Sequence, residues 1–137
     1  MPLQDVNLNI FQGSGNPGAG WEPTTSSDGS KTFWYMYTGG NTPANNGNNE
    51  SKLPANPKDA KPESFYLKFT GQLKQDFEFI GFSSSPDPAE ITGSVNPDLV
   101  TVTDQNTKEG KYYWAVEVKE KSTGMTFYCD PGVINRK

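Results

Sequence analysis

The chain has 137 residues, with sixteen acidic and twelve basic side chains for a net charge of −4. That balance gives none of the clustered positive surface that phosphate neutralisation requires, which counts against nucleic acid and anionic membrane as partners. The sequence contains no histidine and one cysteine, which removes the commonest general base and metal ligand and any internal disulfide.

A chain of this length is expected to form one domain, 1–137, large enough to enclose a core. Hydrophobic residues make up only 32% of it while 12% are aromatic, so the core must be built from few, large side chains. There is no run of about 18 apolar residues to span a bilayer. The opening "MPLQDVNLNIFQGSG" has neither the basic start nor the long apolar stretch of a signal peptide. The expected setting is the cytoplasm, or a particle or inclusion.

Period-two alternation recurs along the chain and predicts strands. In "DVNLNIF" Val6, Leu8 and Ile10 share one face. In "KTFWYMYTG" Phe33, Tyr35 and Tyr37 lie opposite Trp34 and Met36, so both faces look covered. "SFYLKFTG" sets Phe65, Leu67 and Phe69 against Tyr66 and Lys68. "DFEFIGF" begins with Phe77 and Phe79 in phase, and Gly81 then shifts the pattern as a β-bulge would. "DLVTVTD" turns Val100 and Val102 inward. In "YYWAVEV" Tyr112, Trp114, Val116 and Val118 share a face. After "KEKSTG", Met125, Phe127 and Cys129 alternate with Thr126 and Tyr128, which reads as an antiparallel hairpin stopped by Pro131. No segment has a helical period, and eleven prolines and fourteen glycines punctuate the gaps. About seven short strands predict an all-β fold, an immunoglobulin-like antiparallel β-sandwich, with a closed barrel as the alternative. Two long irregular loops, 13–30 and 39–62, exceed what hairpins need, and such loops are usually functional or disordered.

The ending "YYWAVEV", "STGMTFYC", "DPGVI" resembles that of small bacterial proteins of the AidA/PixA inclusion-body family. Those close with two aromatic strands around a Gly-containing turn, then Asp-Pro and an apolar residue. The wording "DPGVINR" is also similar to the ending of the small bacterial DP-EP proteins. The likeness covers about 25 residues and implies a small β-sandwich with a role in accumulation, assembly or interaction. It supplies no catalytic residues.

The acidic positions read as turn chemistry. Asp87, Glu90, Asp98 and Asp104 lack the alternating loop pattern that calcium needs and are expected to be solvated. No cofactor or metal is predicted. "GSGNPGAG" lacks the Lys-Ser/Thr ending of a phosphate loop, and no G-x-S-x-G is present, so no enzyme is predicted. Cys129 reads as a buried structural thiol, and Asp130, just before Pro131, as an anchor for the C-terminal tail.

Two binding readings remain. In the first, edge strands and surplus aromatic surface make a self-assembling or protein-binding module: an inclusion, coat, filament or phage-surface component. In the second, a lectin-like platform of Trp21, Trp34, Tyr35 and Tyr37 stacks on a sugar ring while Asn46 and Asn49 bond its hydroxyls. Against the second, Trp34 could instead be the core tryptophan of a sandwich. Asn49-Glu50-Ser51 also fits a glycosylation sequon.

Overall fold

A computed structural model describes residues 5–39, 49–53, 62–105, 107 and 110–136, with the backbone course alone for 49–53 and 130–136. The strands are β1 (Val6–Phe11), β2 (Glu22–Thr25), β3 (Thr32–Gly39), β4 (Asn49–Leu53) and β5 (Glu63–Phe69). After a single 3-10 turn, Leu73–Gln75, come β6 (Phe77–Ser85), β7 (Ile91–Asn96), β8 (Leu99–Asp104), β9 (Gly110–Glu120) and β10 (Thr126–Arg136). They form a six-stranded sheet, β2-β3-β1-β5-β8-β7, and a four-stranded sheet, β4-β10-β9-β6. The protein is an all-β sandwich, as the alternation predicts. Most neighbours pair antiparallel, while β1 with β5 and β10 with β4 run parallel.

The inward faces follow the predicted phase. Val6, Leu8 and Ile10, Phe33, Tyr35 and Tyr37, Phe65, Leu67 and Phe69, and Val100 and Val102 are buried on the larger sheet. Phe77, Phe79, Tyr112, Trp114, Val116, Val118, Phe127 and Cys129 are buried on the smaller one. Rings join the two layers. Phe33 stacks on Phe127 with centroids 4.1 Å apart, and Phe69 stacks on Phe79 at 4.0 Å. Trp114 stands between Tyr37 at 5.1 Å and Phe65 at 5.8 Å. It is the tryptophan of the interior, the role considered for Trp34. Ten aromatic side chains are buried in this core, which explains how so few hydrophobic residues fill it.

The expected bulge in β6 is present: Phe79 pairs with Val118 and Gly81 with Glu117, leaving Ile80 as the extra residue. The slip turns Phe82 back toward the interior, where it lies parallel to Trp114 at 6.4 Å. Its ring also covers Gly93 so closely that a Cβ there would meet ring carbon at 2.3 Å. A side chain at position 93 would push Phe82 off Trp114. This contact closes the seam between β6 and β7.

Three expectations need correction. β10 does not stop at Pro131: it continues to Arg136, and its register shifts between Cys129, opposite Val116, and Gly132, opposite Trp114. A bulge puts the proline where the ladder is already interrupted, so its missing N–H leaves no break. The core side of that bulge is tied across the sandwich, because the Tyr37 hydroxyl donates to the Cys129 carbonyl at 2.5 Å. The Asp130 side chain lies outside the described residues.

Secondly, the two long loops are not irregular throughout, since β2 lies in one and β4 in the other. Thirdly, Glu90 and Asp104 are buried, not solvated. Thr107 donates to the Glu90 carboxylate from its backbone N–H at 2.7 Å and from its hydroxyl, and the Gln105 N–H donates to the Glu90 carbonyl at 2.8 Å. A carboxylate satisfied in this way can stand in a sandwich corner without the cost of an unpaired buried charge. Among the described residues no helix is long and apolar enough to cross a membrane.

Candidate functional site

Alternation along β3 separates the four aromatic residues proposed for one platform. Tyr35 and Tyr37 face inward and are 3% and 2% exposed, so they are core rings and cannot stack on a ligand. Trp34 points to the outer face of the six-stranded sheet and is half-buried. It sits opposite Phe11 in the β1–β3 ladder and opposite Pro23 in the β2–β3 ladder. Trp21 is half-buried and meets the Phe11 ring edge-on at 6.2 Å. Trp21 and Trp34 are therefore brought to one aromatic patch with Phe11 at its centre. Asn46 and the Asn49 side chain lie outside the described residues.

The glycine-rich segment 12–20 folds back over this patch, and its glycines explain how. Gly13 rests on the Phe11 ring, where a Cβ would come within 2.6 Å of ring carbon. Gly20 has φ +90 and lies against the Met36 sulfur, a backbone state that side chains rarely adopt. The segment thereby becomes one wall of a cleft of about 540 Å³ on the outer face. Gln12, Gly13, Ser14 and Gly15 line one side and Ser30, Lys31 and Thr32 the other, with Trp34 between them.

The second wall is a tight turn. The Ser26 N–H donates to the Lys31 carbonyl at 2.8 Å, the Gly29 N–H to the Ser26 carbonyl at 2.8 Å, and the Lys31 N–H to the Ser26 hydroxyl at 3.1 Å. Asp28 is its hub. Its Oδ1 accepts from the Ser26 hydroxyl at 2.7 Å, the Ser30 N–H at 3.0 Å and the Ser30 hydroxyl at 2.7 Å. The turn is pinned to the other sheet, since the Ser27 N–H donates to the Thr126 carbonyl at 2.8 Å. The Lys31 ammonium reaches the Glu120 carboxylate at 3.3 Å and lies over the Phe33 ring at 4.6 Å. On the opposite wall, the Gln12 amide donates to Asp76 at 2.9 Å.

These hydrogen bonds, led by that from the Ser26 hydroxyl, hold the Asp28 carboxyl at a pKa of about 2, below its ordinary 3.8. The sign follows from linkage: the turn holds the ionised form, so its contribution is complete above the ordinary value and lost as pH falls through about 2. In an acid titration followed by NMR, the Ser30 amide should shift with a midpoint near 2. Asp28→Asn should abolish that inflection. A midpoint at the ordinary carboxylate value would show that the turn does not hold Asp28 this way.

Sequence reasoning missed Gln12, Ser14, Ser30, Lys31 and Thr32. For Ser30 and Lys31 the signal was present in "TSSDGSK", where Ser, Asp and Gly cluster directly before an alternating run, as tight turns do. Among the described residues no group of three or more His, Cys, Asp or Glu is placed to hold a metal ion. The fold and the cleft define a β-sandwich with a preformed polar and aromatic depression on one sheet. The chain matches no protein-family model and no curated protein.

Proposed function

We propose that the protein is a non-catalytic binding module that associates with further copies of itself through the outer face of its four-stranded sheet. One observation carries this reading. Tyr113, Tyr128 and Ile80, which are 40%, 51% and 41% exposed, all belong to that sheet. Tyr128 and Gly81, next to Ile80, both oppose Glu117, so they share one cross-strand row. Tyr113 lies two outward positions along β9, with the small Ala115 between. This face thus presents two tyrosine rings and an isoleucine, and tyrosine is enriched at protein interfaces because it combines large apolar area with a polar tip.

Charge on the face supports a second copy as the partner. Lys119 pairs with Glu78 at 3.7 Å, and Lys111 lies over the Tyr113 ring at 5.8 Å. A face that carries both signs can complement itself under a two-fold rotation. The likeness of the C-terminal hairpin to inclusion-body proteins points toward the same role, in the cytoplasm or in a particle.

Light scattering across a concentration series tests the proposal. The native protein should rise in mass with concentration, and Tyr128→Ala combined with Tyr113→Ser should stay monomeric at concentrations where the native chain does not. A native protein that remains monomeric throughout, or a variant that associates equally well, removes the proposal.

A further inference from the structure

We infer that the cleft beside Trp34 is a binding site for a neutral saccharide, separate from the associating face because it lies on the opposite sheet. Four observations lead there. First, a sugar ring needs an exposed apolar plane to stack on, and Trp34 is the aromatic side chain that lines the cleft. Secondly, ring hydroxyls need donors and acceptors at the edge of that plane, and Gln12, Ser14, Ser30 and Thr32 supply both kinds. Thirdly, the volume of about 540 Å³ lies within the roughly 300–1,000 Å³ usual for small-ligand sites.

The fourth observation is that several polar lining groups are already fixed by a second partner. Asp76 holds Gln12, and Asp28 holds Ser30 through two bonds. Glu120 holds Lys31. Side chains ordered before binding lose little entropy when a ligand arrives, which is how a shallow site gains affinity.

The same contacts decide the charge of the ligand. Lys31 is the cation of the cleft, and its ammonium already faces the Glu120 carboxylate and the Phe33 ring. An anionic sugar would have to compete with Glu120 and would approach the ionised Asp28 behind Ser30. A neutral ring meets neither obstacle. The Ser30 hydroxyl gives its proton to Asp28, so toward the cleft it offers lone pairs, which suit a sugar hydroxyl as donor. Gln12 likewise gives an amide proton to Asp76, and its carbonyl oxygen remains an acceptor.

The test is a heteronuclear NMR titration of the full chain with methyl glucoside, methyl galactoside, methyl mannoside and their β-linked disaccharides, set beside glucuronic and galacturonic acids. At least one neutral sugar should shift the Trp34 indole together with the amides of residues 12–15 and 30–32. Trp34→Ala should weaken that binding by about tenfold or more, and Trp34→Phe should restore part of it. If Trp34→Ala loses the native amide spectrum, Gln12→Ala replaces it as the test and should weaken binding severalfold. Tyr128→Ala should leave binding unchanged. The inference is overturned if no neutral sugar moves these resonances, if the uronic acids bind more tightly, or if a proline-rich peptide occupies the cleft in their place.

Discussion

Replacing Trp114 with alanine should destabilise the protein by about 3–5 kcal/mol, a large fraction of the roughly 5–15 kcal/mol that keeps a domain folded. Trp114 is 1% exposed and is among the largest fully buried side chains. It touches rings from both layers: Tyr37 and Phe65 of the six-stranded sheet, and Phe82 from the β6 bulge. Phe82 in turn closes the seam over Gly93. Truncation would thus leave a cavity between the two sheets and remove the ring against which Phe82 lies.

Trp114→Phe should behave differently. The indole Nε1 is buried with no hydrogen-bond partner among the described residues, and an unsatisfied buried donor carries a desolvation penalty of about 1–3 kcal/mol. Phenylalanine removes that donor while keeping most of the ring, so its loss of packing is partly offset. Urea denaturation followed by circular dichroism should place Trp114→Phe well above Trp114→Ala. Equal losses for the two variants would show that the ring retained in Trp114→Phe does not fill the site, and Trp114 would not be the packing centre described above.

What could be read from the sequence depended on how far a local pattern reaches. Period-two alternation identifies a strand and its two faces, and it placed Val6, Leu8, Ile10, Phe65, Leu67 and Phe69 inward without ambiguity because polar residues stood opposite them. In "TFWYMYT" both faces are apolar, and nothing local says which one meets the other sheet. The structure resolves it through the partner strand: Ile10 opposes Tyr35 inside, while Phe11 opposes Trp34 outside. That single uncertainty split the three β3 members of the proposed sugar platform into two core tyrosines and one surface tryptophan.

β2 and β7 escaped for a related reason. "EPTT" and "ITGSVN" are short, polar edge strands, and edges are commonly kept short and non-hydrophobic to discourage unwanted pairing. A strand that buries almost nothing has no hydrophobic period to detect. The cleft was hidden for another reason. Its walls come from segments about twenty residues apart in the chain, and their meeting depends on β1, β3 and the Gly13 contact with Phe11. Glu90 was misjudged because its partner Thr107 lies across a corner, a distance that no local pattern spans.

Phe127→Ala should rank beside Trp114→Ala, with a loss of about 3–5 kcal/mol in the same denaturation experiment. Phe127 is fully buried and joins a three-ring group between the sheets: it stacks on Phe33 at 4.1 Å and meets Phe77 edge-on at 6.1 Å, while Phe33 meets Phe77 at 6.3 Å. This group supports the cleft from below. Phe33 carries the Lys31 ammonium over its ring, and Thr126, next to Phe127, accepts the hydrogen bond that pins the Asp28 turn. A double-mutant cycle can separate packing from area alone. Phe33→Ala and Phe127→Ala together should cost less than the sum of the single losses, with a coupling of about 0.5–1.5 kcal/mol. Amide exchange should also quicken in residues 26–31 of Phe127→Ala, because the turn loses the strand it is tied to. Strict additivity would mean that the two rings do not pack against each other, and the present account of how the sandwich holds the cleft wall would fail with it.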